Sequence, residues 1–262
     1  MTTIPIIVIP ARMASSRFPN KPLVKIKNYS MIERVWQIAQ ALPNPKRVYI
    51  ATDSEALAKH VNAFGADVIM TSSTCKTGTD RVAEVAEKLE LENEIVFSLQ
   101  GDAVLTPPWV IKAVLEEMQR DQSIILATPA VKLSHENKNE FLEFKKKGSS
   151  TGTTVVFDKC FNALYFSKSV IPYARLALND YPIYRHIGLY AYRASTLKKL
   201  CSLPMGVFEQ IEQLEQLRAL ENGIPIRVVM VDYLGRTHGS VDNPEDVSTI
   251  EAIIEKEGEL VL

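Results

Sequence analysis

The chain has 262 residues, 46% of them hydrophobic, which fits one large α/β domain or a domain with a substantial insertion. Its net charge of −1 argues against a general polyanion-binding surface, and its single basic run, residues 145–147, is typical of a solvated turn. Three widely spaced cysteines and the lack of a leader or an apolar span near 20 residues predict a cytoplasmic protein with no membrane or nucleic-acid partner.

The first half of the chain alternates predicted strands with predicted helices. Ser30 and Glu33 have the spacing of a capping box, Pro43 is a stop signal, and Gly65 is typical of a helix end. The alternation predicts a doubly wound, mostly parallel α/β sheet. We expect strands at 4–9, 48–51, 68–70, 95–99 and 124–127, and helices at 30–42, 54–64, 79–91 and 108–120.

The rhythm changes near residue 129, where strands follow one another with few helices between them. Predicted strands at 154–157, 163–166 and 187–192 indicate a more antiparallel subregion over residues 129–185. A helix at 208–221, a strand at 228–231 and a helix at 244–256 complete the pattern, with Asn243 as the expected cap of the last helix.

A basic loop follows the first strand, between Pro10 and Pro22. It carries Arg12, Arg17 and Lys21 together with two adjacent hydroxyls at residues 15 and 16. In open α/β sheets ligands bind beyond the carboxyl ends of strands, so this loop suits a polyphosphate. The alternative is a solvated loop with ordinary surface charges.

Two carboxylates are predicted at the same edge of the sheet. Asp102 follows the strand at 95–99, and Asp242 precedes the closing helix. A pair of carboxylates facing a polyphosphate is a usual way to hold Mg²⁺. The alternatives are a turn aspartate for Asp102 and a neighbour of a helix cap for Asp242.

Other motifs are absent or less specific. The chain has no Gly-x-Gly-x-x-Gly and no Gly-Lys-Ser/Thr loop, and its histidines lack metal-ligand spacing. His186 and Tyr190 have the even spacing of one strand face, which also fits a histidine that fills a half-buried strand. Glu212, Glu215 and Gln216 have the spacing of one helix face, suited to hydroxyl groups or to a solvated flank.

Several separated motifs occur in one order along nearly the whole chain. The first are Ile9-Pro10-Ala11-Arg12, Ser16-Arg17, Lys21-Pro22-Leu23, Ala51-Thr52-Asp53, Met70-Thr71-Ser72, Thr77-Gly78-Thr79-Asp80-Arg81 and Leu99-Gln100-Gly101-Asp102. The later ones are Ala163-Leu164-Tyr165-Phe166-Ser167, Arg185-His186-Ile187-Gly188-Leu189-Tyr190-Ala191-Tyr192-Arg193, Leu214-Glu215-Gln216-Leu217-Arg218, and Val241-Asp242 with Pro244-Glu245-Asp246. In this set the chain resembles the 3-deoxy-manno-octulosonate (Kdo) cytidylyltransferase family.

The resemblance implies one nucleotidyltransferase domain over residues 1–262, of the nucleotide-diphospho-sugar transferase type. Residues 129–207 would form a sugar-binding and dimerisation subregion of a homodimer. The implied reaction joins CTP and a 3-deoxy ulosonic acid into a CMP-sugar for lipopolysaccharide or capsule synthesis, with release of pyrophosphate. The sugar's anomeric hydroxyl would attack the α-phosphate, and catalysis of this kind depends on positioning and charge neutralisation.

The resemblance also implies a role for each matching residue. Arg12, Lys21, Asp102 and Asp242 would act in catalysis, with the two aspartates holding Mg²⁺. CTP would be bound by Ala11, Arg12, Ser16, Arg17, Lys21, Thr71, Thr77, Gly78, Thr79 and Arg81. The sugar pocket would be lined by Gln100, Arg175, His186, Tyr190, Glu215 and Gln216.

Three positions depart from the family pattern. Ala103 stands where the family usually has Glu, and Thr154 stands where it usually has Lys, which predicts a shift toward a modified acid such as 8-amino-Kdo. Asn20 replaces a Gly, a mild change because Asn tolerates left-handed backbone. A same-fold enzyme for another acid and a non-catalytic nucleotide-binding regulator are the alternatives.

Overall fold

A computed structural model describes residues 4–14, 18–43, 47–175 and 181–261. The strands are β1 (Ile6–Pro10), β2 (Lys25–Ile26), β3 (Tyr29–Ser30), β4 (Val48–Thr52), β5 (Asp67–Met70), β6 (Ile95–Ser98), β7 (Leu126–Lys132), β8 (Thr153–Phe157), β9 (Ala163–Ser167), β10 (Tyr184–His186), β11 (Tyr190–Arg193) and β12 (Arg227–Met230). The helices are α1 (Met31–Gln40), α2 (Glu55–Ala63), α3 (Gly78–Lys88), α4 (Pro108–Arg120), α5 (His135–Lys146), α6 (Ala194–Ser202), α7 (Val207–Glu212), α8 (Gln216–Glu221) and α9 (Asp246–Glu257).

The main sheet has ten strands in the order β5-β4-β1-β6-β11-β7-β10-β8-β9, with β12 paired to β7. Strands β1, β4, β5, β6, β7, β8 and β12 point one way, and β9, β10 and β11 point the other. The antiparallel strand pairs of this sheet lie between residues 95 and 193, and β2 and β3 form a separate two-stranded antiparallel sheet. This arrangement confirms the predicted α/β class, mostly parallel with a more antiparallel subregion.

Helices cover both faces of the sheet, and the central strands are therefore buried on both sides. Buried residues of α1, α2, α4 and α9 form one apolar core with strands such as β1 and β6. Residues of α3, α6 and α8 form a second core on the other face. Within the described ranges, no helix is long and apolar enough to cross a membrane.

Two predicted elements are interrupted in the structure. The helix expected at 208–221 is two helices, α7 and α8, because Gln213 adopts a left-handed backbone with φ of 53°. The strand expected at 187–192 is confirmed only over 190–192, in β11, and residues 187–189 separate it from β10, which pairs with β7 in a different register. An offset of this kind is a bulge, which redirects the side chains on either side of it.

The helices also differ from expectation in three respects. The last helix begins at Asp246 with Glu245 as its N-cap, so Asn243 is not the cap. The Ser30 hydroxyl accepts a hydrogen bond from the Glu33 amide, which is half of the predicted capping box. Helices α5 and α6 were not predicted at all.

Candidate active site

An open cleft of about 240 Å³ lies at the carboxyl edge of the parallel strands. Strands β1 and β6 are parallel neighbours, so the loops that follow them meet at this edge. Nine of the predicted site residues line the cleft: Ala11, Arg12, Lys21, Thr77, Gly78, Arg81, Gln100, Asp102 and Asp242.

The backbone of the two loops is closely fitted. Asn20 has φ of 57° and ψ of 21°, the left-handed conformation that Asn adopts more readily than most residues, and a short 3₁₀ turn over Lys21–Leu23 follows it. A Cβ on Gly101 would lie 2.9 Å from the carbonyl oxygen of Pro10. Glycine at position 101 therefore allows the loops after β1 and β6 to touch.

Lys21 lies between the two predicted metal ligands. Its Nζ donates to Asp102 Oδ2 at 2.6 Å and lies 3.9 Å from Asp242 Oδ1. The Val241 amide donates to the Asp102 carbonyl at 3.4 Å, which holds the two segments together. The structure thus brings both carboxylates around one positive charge, as a divalent cation would also require.

The donor set fits Mg²⁺ only in part. The described part of the chain has no group of three or more His, Cys, Asp or Glu that could hold a metal ion. Two carboxylates can bind Mg²⁺ when phosphate oxygens and waters supply the remaining ligands. Asp102 and Asp242 are both partly exposed to the cleft, where such ligands have access.

Helix α3 presents its N-terminus to the cleft. Thr77 and Asp80 form a reciprocal capping box, with the Thr77 amide donating to Asp80 at 2.9 Å and the Asp80 amide donating to Thr77 at 3.1 Å. Arg81, which is 3% exposed, donates to the Thr71 hydroxyl and lies 3.4 Å from Asp53. Arg81 therefore touches the cleft while it ties α3 to the segments after β4 and β5.

Glu215, the N-cap residue of α8, connects α3 to α8. It accepts from the hydroxyls of Thr79 at 2.8 Å and Thr77 at 3.4 Å. Burial raises its pKa, while the Thr79 hydroxyl acts in the opposite direction. Gln216 is buried next to it and its amide nitrogen has no hydrogen-bond partner within the described ranges.

Glu212 does not share a face with these two residues. Because the helix breaks at Gln213, Glu212 lies against the end of β9, where it accepts hydrogen bonds from the Ser167 hydroxyl at 2.6 Å and the Lys168 amide at 2.8 Å. The predicted common helix face of Glu212, Glu215 and Gln216 was therefore wrong, because it assumed one continuous helix.

His186 is a buried residue with a defined tautomer. Its Nε2 lies 2.9 Å from the Thr128 hydroxyl, which donates to the Leu189 carbonyl at 2.7 Å and so must accept from the ring. Burial lowers the pKa of His186 to about 3, so the ring is neutral at neutral pH. The Tyr190 ring lies 5.6 Å away, which keeps the two predicted pocket residues adjacent across the bulge.

Several predicted site residues lie away from the cleft lining. Among the described residues these are Thr71, Thr79, Arg175, His186, Tyr190, Glu215 and Gln216. Arg175 is exposed on the loop after β9. Ser16 and Arg17, predicted to bind phosphate, lie outside the described residues.

The two departures from the family pattern have different surroundings. Ala103 is buried beside the cleft loop, and its amide donates to the Gln100 carbonyl at 3.0 Å. Thr154 is 0% exposed, and its hydroxyl donates to the Ser169 carbonyl at 2.7 Å and accepts from the Ile171 amide at 3.2 Å. Thr154 thus supports a loop and does not line the cleft, unlike the pocket position expected from the sequence.

Sequence reasoning missed two supporting residues, Asp53 and Thr128. Asp53 belongs to the Ala51-Thr52-Asp53 motif, which carries the family resemblance but did not predict a function for this residue. Thr128 lies inside an apolar strand, where a single hydroxyl gives no pattern to read. Its partner in the structure, His186, is 58 positions away along the chain.

Comparisons with known proteins agree with this geometry. Residues 6–228 match the family model described as cytidylyltransferase. A 3-deoxy-manno-octulosonate cytidylyltransferase of Maricaulis maris is 51% identical over 97% of this chain and 98% of its own. An 8-amino-3,8-dideoxy-manno-octulosonate cytidylyltransferase of Shewanella woodyi is 38% identical over 94% of this chain and 96% of its own.

A solved structure extends the likeness to three dimensions. The structure of CMP:2-keto-3-deoxy-manno-octonic acid synthetase complexed with CTP superposes with a TM-score of 0.86, at 35% identity over 97% of this chain and 100% of that one. With a family model over most of its length and a relative at 51% identity, the chain belongs to the cytidylyltransferase family.

Proposed function

We propose that this protein transfers CMP from CTP to the anomeric hydroxyl of Kdo, with release of pyrophosphate. The observation that carries the proposal is the cleft in which Lys21 lies between Asp102 and Asp242, at distances of 2.6 and 3.9 Å. Charges of both signs at one strand edge suit a reaction that moves a phosphoryl group. The 51% identical Kdo cytidylyltransferase supports the choice of sugar.

The residues of the cleft would act by position and charge. Arg12 and Lys21 would hold the phosphates of CTP, and Lys21 would offset the charge that grows on the α-phosphate. The anomeric hydroxyl of the sugar would form the new bond to the α-phosphorus as the bond to pyrophosphate breaks. Gln100, in the segment that follows β6, would face the sugar from the same cleft.

Asp102 and Asp242 would hold Mg²⁺ against the phosphates. When bound, the metal supplies charge neutralisation and fixes the orientation of the triphosphate. Lys21 occupies the space between these carboxylates in the present arrangement, so it would turn from them toward the phosphates when CTP and metal bind.

A second candidate substrate is 8-amino-Kdo. Relatives named for that acid are 38% identical to this chain, and Ala103 removes a carboxylate expected beside the cleft. The Thr154 hydroxyl is bonded to the loop after β9, so the replacement of the family's Lys at this position does not bear on the choice of sugar. Unmodified Kdo therefore remains the first choice.

The decisive experiment is a pyrophosphate-release assay with CTP, Mg²⁺ and each of the two acids. We expect turnover with Kdo and a lower specificity constant with 8-amino-Kdo. A reversed preference would assign the second substrate, and no release with either acid would refute both. Omission of Mg²⁺ tests the metal, and sedimentation of the pure protein tests the proposed homodimer. We also propose that the protein acts in the cytoplasm, in the synthesis of lipopolysaccharide or capsule.

A further inference from the structure

The chain segment that carries Asp242 lies along helix α9. Residues 237–243, which we call the Asp242 segment, contact the end of α9 at Glu257 and its start at Asp246. From residue 237 to residue 242 an extended chain spans at most about 18 Å. From Asp246 to Glu257 an α-helix rises about 16 Å. The segment is therefore drawn out along the helix, in the direction opposite to it.

The far end and the middle of the Asp242 segment are held by α9. The Thr237 amide donates to both carboxylate oxygens of Glu257, at 3.1 and 3.0 Å, and the Thr237 hydroxyl donates to the same carboxylate. Midway, a Cβ on Gly239 would lie 3.3 Å from the side chains of Ile250 and Leu105. The segment thus packs closely against the helix before it reaches Asp242.

The near end is held by Asp246, in the first turn of α9. The amides of Asp242 and Asn243 both donate to Asp246 Oδ2, at 2.7 and 2.8 Å. Hydrogen bonds to an ionised carboxylate are stronger than those between neutral groups. The preceding residue, Val241, is buried, and its amide donates to the Asp102 carbonyl at 3.4 Å. The backbone at Asp242 is therefore fixed from both sides.

Asp246 does not act as an ordinary acid of a first helical turn. Such a residue usually stabilises its own helix, whose first amides are free. Asp246 accepts instead from two amides that precede the helix. Asp158 makes a similar pair of contacts in the turn between β8 and β9, where its Oδ1 accepts from the amides of residues 160 and 162, both at 2.8 Å. What distinguishes Asp246 is that the backbone it holds carries a cleft carboxylate.

The position of that carboxylate depends on the backbone beneath it. An aspartate side chain has only two rotatable bonds, so a fixed backbone leaves its oxygens few positions. Asp242 Oδ1 lies 3.9 Å from Lys21, within reach of the group that also contacts Asp102. A functional group of this kind must keep its place to within about 0.5 Å, which requires support from residues around it.

We propose that Asp246 is a positioning residue, which holds the backbone of Asp242 so that its carboxylate can meet Mg²⁺ on the phosphates of CTP. The role rests on the proposed function, because it takes Asp242 to be a metal ligand. Asp246 is not among the described residues that line the cleft, and it acts only through Asp242. Glu257 supports the same segment from its far end and has a smaller part.

The test measures the binding of CTP by calorimetry, once with Mg²⁺ and once with EDTA. No sugar acid is present, so nothing turns over, and the ratio of the two Kd values is the gain that the metal provides. Asp246→Ala should lose most of this gain, since groups that orient metal ligands typically account for about 10- to 100-fold in metal affinity. The Kd in EDTA should stay as in the wild-type protein.

Three variants separate positioning from charge and from stability. Asp246→Asn keeps an oxygen that can accept from both amides, and it should retain most of the gain. Asp158→Ala removes a matching pair of contacts elsewhere and should leave the gain unchanged. Glu257→Ala frees the far end of the Asp242 segment and should cost less than Asp246→Ala. Equal losses in the Asn and Ala variants of Asp246, or a comparable loss in Asp158→Ala, would overturn the proposal.

Asp242→Asn distinguishes a failure of the positioning role from a failure of the proposed function. If this variant loses the gain and Asp246→Ala keeps it, Asp242 is a metal ligand and Asp246 does not position it. If Asp242→Asn keeps the gain, or if Mg²⁺ gives none in the wild-type protein, the proposed metal site fails and the role of Asp246 with it. Should Asp246→Ala not fold, Asp246→Glu keeps the charge and moves the oxygens by one methylene. It should also lose gain, and a wild-type gain would refute the role.

Discussion

At the scale of single residues, the site is organised by one lysine and two aspartates. Lys21 forms an ion pair with Asp102 at 2.6 Å, and Asp242 lies 3.9 Å from the same ammonium group. Two carboxylates this close to one cation are poised to exchange it for another when an anionic nucleotide attracts the lysine. One lysine and two aspartates leave this group with a net negative charge, which favours the arrival of a second cation.

Asp102→Asn and Asp242→Asn should each abolish most of the activity. Either change removes a carboxylate that we expect to hold Mg²⁺, which should lower kcat on the order of 10³-fold. The measurement is pyrophosphate release at saturating CTP, Kdo and Mg²⁺. Asp67→Asn, on the exposed start of β5, is the control for the loss of one charge and should have no effect. Turnover near the wild-type rate in either variant would remove that aspartate from the metal site.

Lys21→Ala should lower kcat more than it weakens the binding of CTP. A preorganised positive charge at the transferred phosphate stabilises the transition state by about 2–4 kcal/mol. Steady-state kinetics give kcat and KM separately, and Lys25→Ala, on an exposed strand residue close by, is the control. An effect confined to the KM for CTP would make Lys21 a ground-state binder.

At the scale of elements, two interruptions decide which residues reach the site. The left-handed Gln213 separates Glu212 from Glu215, and the offset between β10 and β11 keeps His186 beside Tyr190. Neither was predicted, because both arise where tertiary contacts override a locally continuous pattern. Glutamine seldom adopts a left-handed backbone, so Gln213 gave no sequence signal for a break, whereas Asn and Gly do give such a signal at other helix ends.

The parallel half of the molecule was predictable because its sequence signals are local. Continuous apolar runs such as Ile6 to Ile9 and the turn signals between them are local, and the rule that ligands bind at strand ends placed Asp102 and the basic loop together. Helix α5 was missed because its mean hydropathy is low and its apolar stripe is narrow, with only Lys138 and Phe141 buried.

Thr154→Val should destabilise the protein without direct contact with the cleft. The variant leaves the Ser169 carbonyl and the Ile171 amide without the partners that the hydroxyl now provides at 2.7 and 3.2 Å. We expect the free energy of unfolding to fall by about 1–3 kcal/mol, measured by urea denaturation. Thr154→Ser keeps the hydroxyl and is the control. Equal stability of the wild-type and Val proteins would show that the hydroxyl does not anchor the loop.

At the scale of the whole molecule, the sheet divides two cores and the site lies at their common edge. Strand β6, which leads to Asp102, is buried on both faces, and the His186 side chain on β10 is itself buried. Rigid strand ends are a suitable support for groups that must keep their positions during phosphoryl transfer. The same burial links the stability of the fold to the protonation of His186.

The stability of the folded protein should fall as the pH drops below 6.5. The pKa of His186 is about 3 in the folded state against an ordinary value of 6.5, so between these values only the unfolded state binds the proton. Acid therefore favours unfolding, and this stabilisation is present above pH 6.5 and lost progressively toward pH 3. From pH 7 to pH 5.5 the linkage amounts to about 1.3 kcal/mol for this one histidine.

His186→Gln isolates this contribution, since the glutamine amide can still donate to the Thr128 hydroxyl and does not titrate. Glu215 acts in the other direction, because its raised pKa favours the folded state as the pH falls toward its ordinary value of 4.5, but it is present in both proteins. The difference in unfolding free energy between wild type and variant, measured in urea at pH 7 and at pH 5.5, should therefore shift by about 1.3 kcal/mol in favour of the variant. A difference that stays constant between the two pH values would mean that His186 takes up a proton in the folded protein, and that Thr128 and the surrounding rings do not keep it neutral.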